Sequence, residues 1–282
     1  MTRALPILLA ASACLAQPRR IVSTAPAITE ILFAAGLGDR VVGVSNFCHY
    51  PDEARTRKKI GTYIQPDLEA IAALRPDMVV IQNNPIQLGS KLARLNLNVI
   101  EVDYSTVAQI HTAIETIASA GGKAEEGRQL AARLRAELEQ IRSTAARLPR
   151  RKIAFIVGRN PGAIEGTIAA GRKTYLSELM EIAGGENVFH DAAAPYPQVS
   201  LESLLARDPD VIVDMGDMTH TQGVTEAHKR SVVALWGKYP HLKAVRLGRV
   251  FAVAEDFFVV PGPRMTLAAR EFARMLHPEA FR

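Results

Sequence analysis

The chain has 282 residues, of which 48% are apolar and 22% charged, and its formal net charge is +5. That length holds two domains of about 130 residues, each with room for its own core. The basic residues Arg128, Arg133, Arg135, Arg142, Arg147, Arg150 and Arg151 are interleaved with Glu125, Glu126, Glu137 and Glu139, a solvated helix face; no aromatic platform accompanies them, which argues against nucleic-acid binding.

Residues 1–16 read as an export signal outside the fold. Arg3 supplies the charged start, and Ala4–Ala13 is an apolar run about 15 Å long as a helix, too short to span a bilayer. Two processing readings stand side by side. Cleavage after Ala16 leaves a soluble exported protein. Ala11-Ser12-Ala13-Cys14 resembles a lipobox, which leaves a lipidated Cys14, although Ala11 stands where Leu is usual. Beyond this segment Cys48 is the only cysteine, so no internal disulfide forms. The Cys48-His49 pair lacks a second pair to complete a zinc site and reads as a partly buried loop thiol and its neighbour.

A first lobe is expected over residues 20–105. Ile21–Ser23 is a strand, and the i, i+3, i+4, i+7 spacing of Ile28, Ile31, Leu32 and Ala35 predicts a helix stopped by Gly36 and Gly38. Val41–Val44 is the next strand. Asp67 caps a helix starting at Leu68, Met78–Ile81 is a strand, 88–95 a helix and 98–102 a strand. Strands alternating with helices imply parallel pairing. Residues 106–149 are connecting helices: 106–120, broken by Gly121-Gly122, then 123–147. The second of these carries Leu130, Leu134, Leu138, Ile141 and Ala145 on one stripe and would be about 37 Å long, enough to cross between lobes. Residues 150–282 form a second lobe, with strands at 153–157, 211–213 and 250–253 and a closing helix at 267–276. With a helix as connector, large hinge motion is not expected.

One unit occurs twice. LEAIAALRPDMVV (68–80) and LESLLARDPDVIV (201–213) align at an offset of 133, each a short helix, a Pro-Asp turn and a buried strand. SELMEIA (177–183) likewise echoes TEILFAA (29–35). Two α/β lobes of similar, Rossmann-like topology follow, parallel sheets flanked by helices with a ligand cleft between. An enzyme is not expected: there is no G-x-S-x-G elbow, no H-E-x-x-H and no P-loop, and His49, His190, His220 and His228 are scattered.

Five stretches in order, STAPAITEILFAAGLGDRVVGVSNFCHYP (23–51), PDLEAIAALRPDMVV (66–80), GGENVF (184–189), PYPQVSLESLLA (195–206) and DFFVVPGPRM (256–265), carry a family likeness. The chain resembles the cobalamin-binding proteins that serve ABC importers, within the helical-backbone metal-receptor superfamily. The resemblance implies a periplasmic, non-enzymatic monomer that holds a corrinoid between its lobes and delivers it to a permease and ATPase complex in the inner membrane. It implies that the 123–147 helix is a rigid backbone, that Tyr50, Tyr63 and Tyr196 line the cleft, that Asp256 makes a polar contact, and that the turn at Ala25-Pro26-Ala27 approaches the ligand. It further implies that Glu69 and Glu202, alike in the two repeats, pair with permease arginines; each also complements a helix dipole. No metal ligand set and no catalytic cofactor are implied.

A corrin has apolar faces and an amide-fringed edge, which tyrosine matches with a flat ring and a hydroxyl. The chain departs from the family pattern at Tyr63, Gln82 and Tyr196, where a well-known member has tryptophan, at Val260, where that member has an arginine, and at Ala183 and Ala273, where it has a disulfide. Gln82, Asn83 and Asn84 then form a polar wall, which leaves an incomplete corrinoid, a haem or a ferric siderophore as alternative ligands. For haem, Tyr50 and His49 are the axial candidates.

Overall fold

The computed structural model describes residues 17–83, 87–217 and 225–281. The export signal with Cys14, the third wall residue Asn84, and His220 lie outside the described residues.

The first lobe runs β1 (Ile21–Ser23), α1 (Pro26–Ala34), β2 (Val41–Val44), β3 (Lys58–Lys59), α2 (Leu68–Ala73), β4 (Met78–Gln82), α3 (Leu88–Ala93) and β5 (Val99–Val102). Its five strands are all parallel, in the order β3-β2-β1-β4-β5. The central strands are buried on both faces, which is why they read as unbroken apolar runs. Alternate side chains go to opposite sides: Ile21, Met78 and Val80 to the face covered by α1, and Val22, Val79 and Ile81 to the face covered by α2 and α3.

Two helices follow, α4 (Val107–Ala120) and α5 (Ala124–Ala145). Thr106 and Gln109 close a capping box at the start of α4: the Thr106 hydroxyl accepts from the Gln109 amide at 3.2 Å, and the Gln109 side chain accepts from the Thr106 amide at 3.0 Å. At 22 residues α5 is about 33 Å long, a little inside the predicted 123–147. Its buried stripe is Gly127, Leu130, Ala131, Leu134, Leu138, Ile141 and Ala145. Gly127 allows close passage of α4, since a Cβ there would fall 2.4 Å from the Cβ of Ala118.

The second lobe runs β6 (Arg151–Gly158), β7 (Thr167–Ala169), α6 (Tyr175–Ile182), β8 (Gly185–Asn187), β9 (Gln198–Val199), α7 (Leu201–Arg207), β10 (Val211–Asp214), α8 (Glu226–Trp236), α9 (Lys243–Arg246), β11 (Val250–Ala252) and α10 (Met265–Leu276). Strands β8, β6, β10 and β11 pair in parallel. The sheet departs from uniformly parallel pairing at one edge, where β7 lies antiparallel to the end of β6 and β9 antiparallel to β7.

The repeated Pro-Asp turn does the same work in both lobes. Asp77 accepts from the amides of Arg19 and Arg20 at 2.8 Å each, and Asp210 accepts from the amide of Lys152 at 2.7 Å. Each carboxylate thereby ties its repeat to the residues that open the lobe's central strand. Charge-assisted bonds of this kind contribute about 1.5–3 kcal/mol. The residues two places before the aspartates, Arg75 and Asp208, both adopt left-handed backbone with φ of 46° and 43°, so the turn is repeated down to its strain.

One apolar core runs through both lobes. Ile21, Ile28 and Val80 of the first, Ile114, Leu134 and Leu138 of the connecting helices, and Phe155, Leu179 and Phe272 of the second belong to it. The far face of the second sheet has a separate core around Ile156, Ile212 and Trp236. Cys48 is fully buried, and its sulfur accepts from the Thr29 hydroxyl at 3.1 Å.

His111 on α4 is buried with no partner for Nδ1. Burial, aided by Arg135 and opposed by Glu115, lowers its pKa to about 4. In the unfolded chain the ring protonates below its ordinary value of 6.5. Between pH 6.5 and 4 the unfolded state therefore binds the extra proton, and stability falls with pH by about 1.4 kcal/mol per unit from this group. Buried His277, also lowered, acts in the same direction. Urea unfolding of His111→Leu across this range is expected to show a shallower acid loss than the wild type; an identical slope would reject the assignment.

Candidate ligand cleft

The residues singled out in the first lobe sit in segments that follow strands: Pro26 and Ala27 after β1, Tyr50 after β2, Tyr63 after β3, and Gln82 and Asn83 where β4 ends. This is where open α/β sheets bind ligands. The second lobe contributes Tyr196 from the loop before β9 and Asp256 and Arg264 from the segment between β11 and α10. Tyr50, Tyr63 and Tyr196 are 48%, 42% and 44% exposed, far more than the buried Tyr104 and Tyr175, so their rings are available to a ligand.

The two groups of loops touch. Arg264 donates from Nε to Glu30 Oε2 at 3.0 Å, from one Nη to the other Glu30 oxygen, and from its second Nη to Asp256 Oδ1 at 2.7 Å. Its guanidinium lies 4.1 Å from the centre of the Tyr50 ring. Thus Glu30 and Tyr50 of the first lobe and Asp256 and Arg264 of the second form one contact. Gly262 lies at this approach: a Cβ there would lie 3.3 Å from Glu30 Oε2, a tight contact, and 3.6 Å from the Ala27 Cα. Ala27 is accordingly buried under the opposite lobe, and Pro26 is the partly exposed residue of that turn.

Glu30 is 3% exposed. Burial pushes its carboxyl up to about 7 against the opposing pull of Arg264. Burial also disfavours the Arg264 cation, but its bonds to Glu30 and Asp256 outweigh that and raise its pKa.

Deeper groups brace the rim. The Tyr104 hydroxyl donates to Gln82 Oε1 at 2.6 Å, and the Tyr175 hydroxyl donates to the Phe258 carbonyl at 2.8 Å. Both hydroxyls are held well above the usual tyrosine range by burial. Asn83 is exposed at the end of β4. Val260 is buried among the apolar core. Among the described residues no group of three or more His, Cys, Asp or Glu is placed to hold a metal ion.

Glu69 and Glu202 stand apart from this cluster, exposed in the first turns of α2 and α7. Their helices are capped alike, by Asp67 on the Ala70 amide at 2.9 Å and by Ser200 on the Ser203 amide at 3.2 Å.

Sequence reasoning missed Glu30, Arg264, Tyr104 and Tyr175. For Glu30 a signal existed: it is a carboxylate flanked by Ile28, Ile31 and Leu32 in a helix with no polar face. Removing one partner of a buried ion pair costs about 3–5 kcal/mol. Arg264→Ala is expected to lose a stability of that order in urea unfolding, and adding Glu30→Gln should recover part of it. Additive losses in the double variant would show that the pair is not coupled.

Comparisons with known proteins agree with this architecture. The family model described as periplasmic binding protein matches residues 21–256. The vitamin B12-binding protein of Yersinia pestis (strain Pestoides F) is 30% identical over 259 residues, covering 91% of this chain and 86% of that protein. Among solved structures, the periplasmic vitamin B12-binding protein of Vibrio cholerae aligns with a TM-score of 0.78 and 27% identity, covering 93% of this chain and 98% of that one. The periplasmic haem-binding protein of Roseiflexus sp. RS-1, in its apo form, aligns with a TM-score of 0.77 and 27% identity, covering 93% and 99%.

Proposed function

The chain belongs to the periplasmic binding protein family, and from that premise we propose that it captures a corrinoid of the cobalamin type in the cleft between its lobes and delivers it to an ABC permease. Members of this family are exported substrate-binding transport proteins, not enzymes. No helix among the described residues is long and apolar enough to cross a membrane.

What supports the ligand assignment is the exposure of three tyrosine rings in loops, Tyr50 and Tyr63 in the first lobe and Tyr196 in the second. Aromatic rings offer wide contact to the corrin faces at small entropic cost, and their hydroxyls suit its amide edge. Asp256, the exposed Asn83 and Gln82, which Tyr104 braces, are polar groups suited to the same edge. The relatives named for vitamin B12 support this reading. A second reading, haem, is favoured by one feature: Tyr50 is half-exposed beside His49, where an axial ligand would stand, and a haem-binding protein shares the fold equally well.

Calorimetric titration of the protein from Gln17 onward with cyanocobalamin, cobinamide and haemin in parallel separates the readings. One-to-one binding of a corrinoid, micromolar or tighter, is expected. Heat with haemin and none with either corrinoid would replace the corrinoid by haem and make Tyr50→Phe the next variant.

Glu69 and Glu202 serve as the docking points. They occupy identical places in the duplicated unit, and two like acidic knobs suit a partner with two-fold symmetry. Glu69→Lys combined with Glu202→Lys is expected to abolish uptake in cells while leaving ligand affinity unchanged. Normal uptake by the double variant would remove the docking role. The protein acts as a monomer that visits its membrane partner.

A further inference from the structure

We infer that Glu30 is a selectivity residue that acts through Arg264 to deny anionic ligands a counter-charge in the cleft. The inference rests on the cleft being the ligand site, as proposed above. A guanidinium is the side chain best suited to hold a carboxylate, because it presents paired donors in one plane. At the contact between the lobes that capacity is already used. The Nε edge and one Nη of Arg264 are taken by Glu30, the other Nη by Asp256, and one face by the Tyr50 ring. One cation meets two carboxyls, so the contact offers no surplus positive charge. The half-buried Asp256 remains a good acceptor for amide N–H groups and a poor neighbour for a carboxylate.

Stability does not account for Glu30. It sits in the apolar helix α1 and is 3% exposed. Burying an ion pair gains little over well-packed apolar residues in the same place. What the carboxyl does accomplish is to hold Arg264 down and cancel its charge. The ligands this disfavours are those with acidic edges: haems with their propionates, and ferric siderophores with anionic donor groups. A neutral, amide-fringed ring is not penalised.

The test compares ligands rather than affinities alone. Glu30→Gln and Asp256→Asn each remove a carboxyl beside Arg264, and Asp256, being half-exposed, tolerates the change even where a buried substitution unfolds the chain. Affinities for haemin and for the neutral cyanocobalamin are measured by fluorescence quenching in wild type and both variants, with circular dichroism to confirm folding. The haemin affinity relative to cyanocobalamin is expected to rise about tenfold. An unchanged ratio in both folded variants, or haemin binding that stays undetectable in both, overturns the inference. A wild type that binds no corrinoid defeats the ligand assignment instead, and the change in haemin affinity between wild type and variants still reports on Glu30.

Discussion

The structure depends on one constraint: both lobes pack against the same pair of helices. The first lobe meets α4 through α1 and β5, the second meets α5 through α6 and α10, and one continuous apolar core joins them. Protein interiors are packed too densely to let such a surface slide. The position of one lobe relative to the other is therefore set by side-chain packing along α4 and α5, not by a linker. Only a frame fixed in this way can bring Glu30 and Arg264, 234 residues apart in sequence, into a two-pronged ion pair across the lobes.

The polar groups at the strand ends differ between the lobes even though the topology is shared. In the first lobe, neutral groups meet: the Tyr104 hydroxyl and the Gln82 amide. In the second, Asp214 at the end of β10 accepts from Arg159 Nε at 2.9 Å, from Trp236 Nε1 at 2.7 Å and from the Gly216 amide at 2.7 Å. Arg159 also donates to the Ala163 carbonyl at 3.1 Å. This buried knot ties the loops after β6 and β10 to α8. Duplication supplied the frame, and each lobe then acquired its own fastening.

Much of the frame was legible because its signals are local. Strands β1 and β2, the cap at Asp67 and the stripe of α5 follow from apolar spacing and turn chemistry within a few residues. The 68–80 and 201–213 repeat announced two lobes. Strands β7, β8 and β9 were not legible, because sequences such as GEN and QV are too short and too polar to show alternation. The repeat's aspartates read as turn residues; that each carboxylate grips the start of another strand is a tertiary fact. Tyr50, Tyr63 and Tyr196 were singled out from their loops after strands and from family likeness, and the structure leaves all three exposed. Arg264 could not, since nothing near PGPRM in the chain says that its partner lies in the first helix.

The last helix gives chain order a consequence. Phe272 of α10 packs against Phe155 of β6 and Phe258 at ring separations of 5.5 and 5.3 Å, and Arg151 at the start of β6 bonds the carbonyl of Leu276. Arg264 lies immediately before the same helix. A chain is made and released from its N-terminus, so the first sheet can form long before the central core is sealed and the lobes are joined. Completion waits for the final residues. A chain that stops before Arg264 thus lacks both the Phe272 ring contacts in the core and the ion pair that links the lobes.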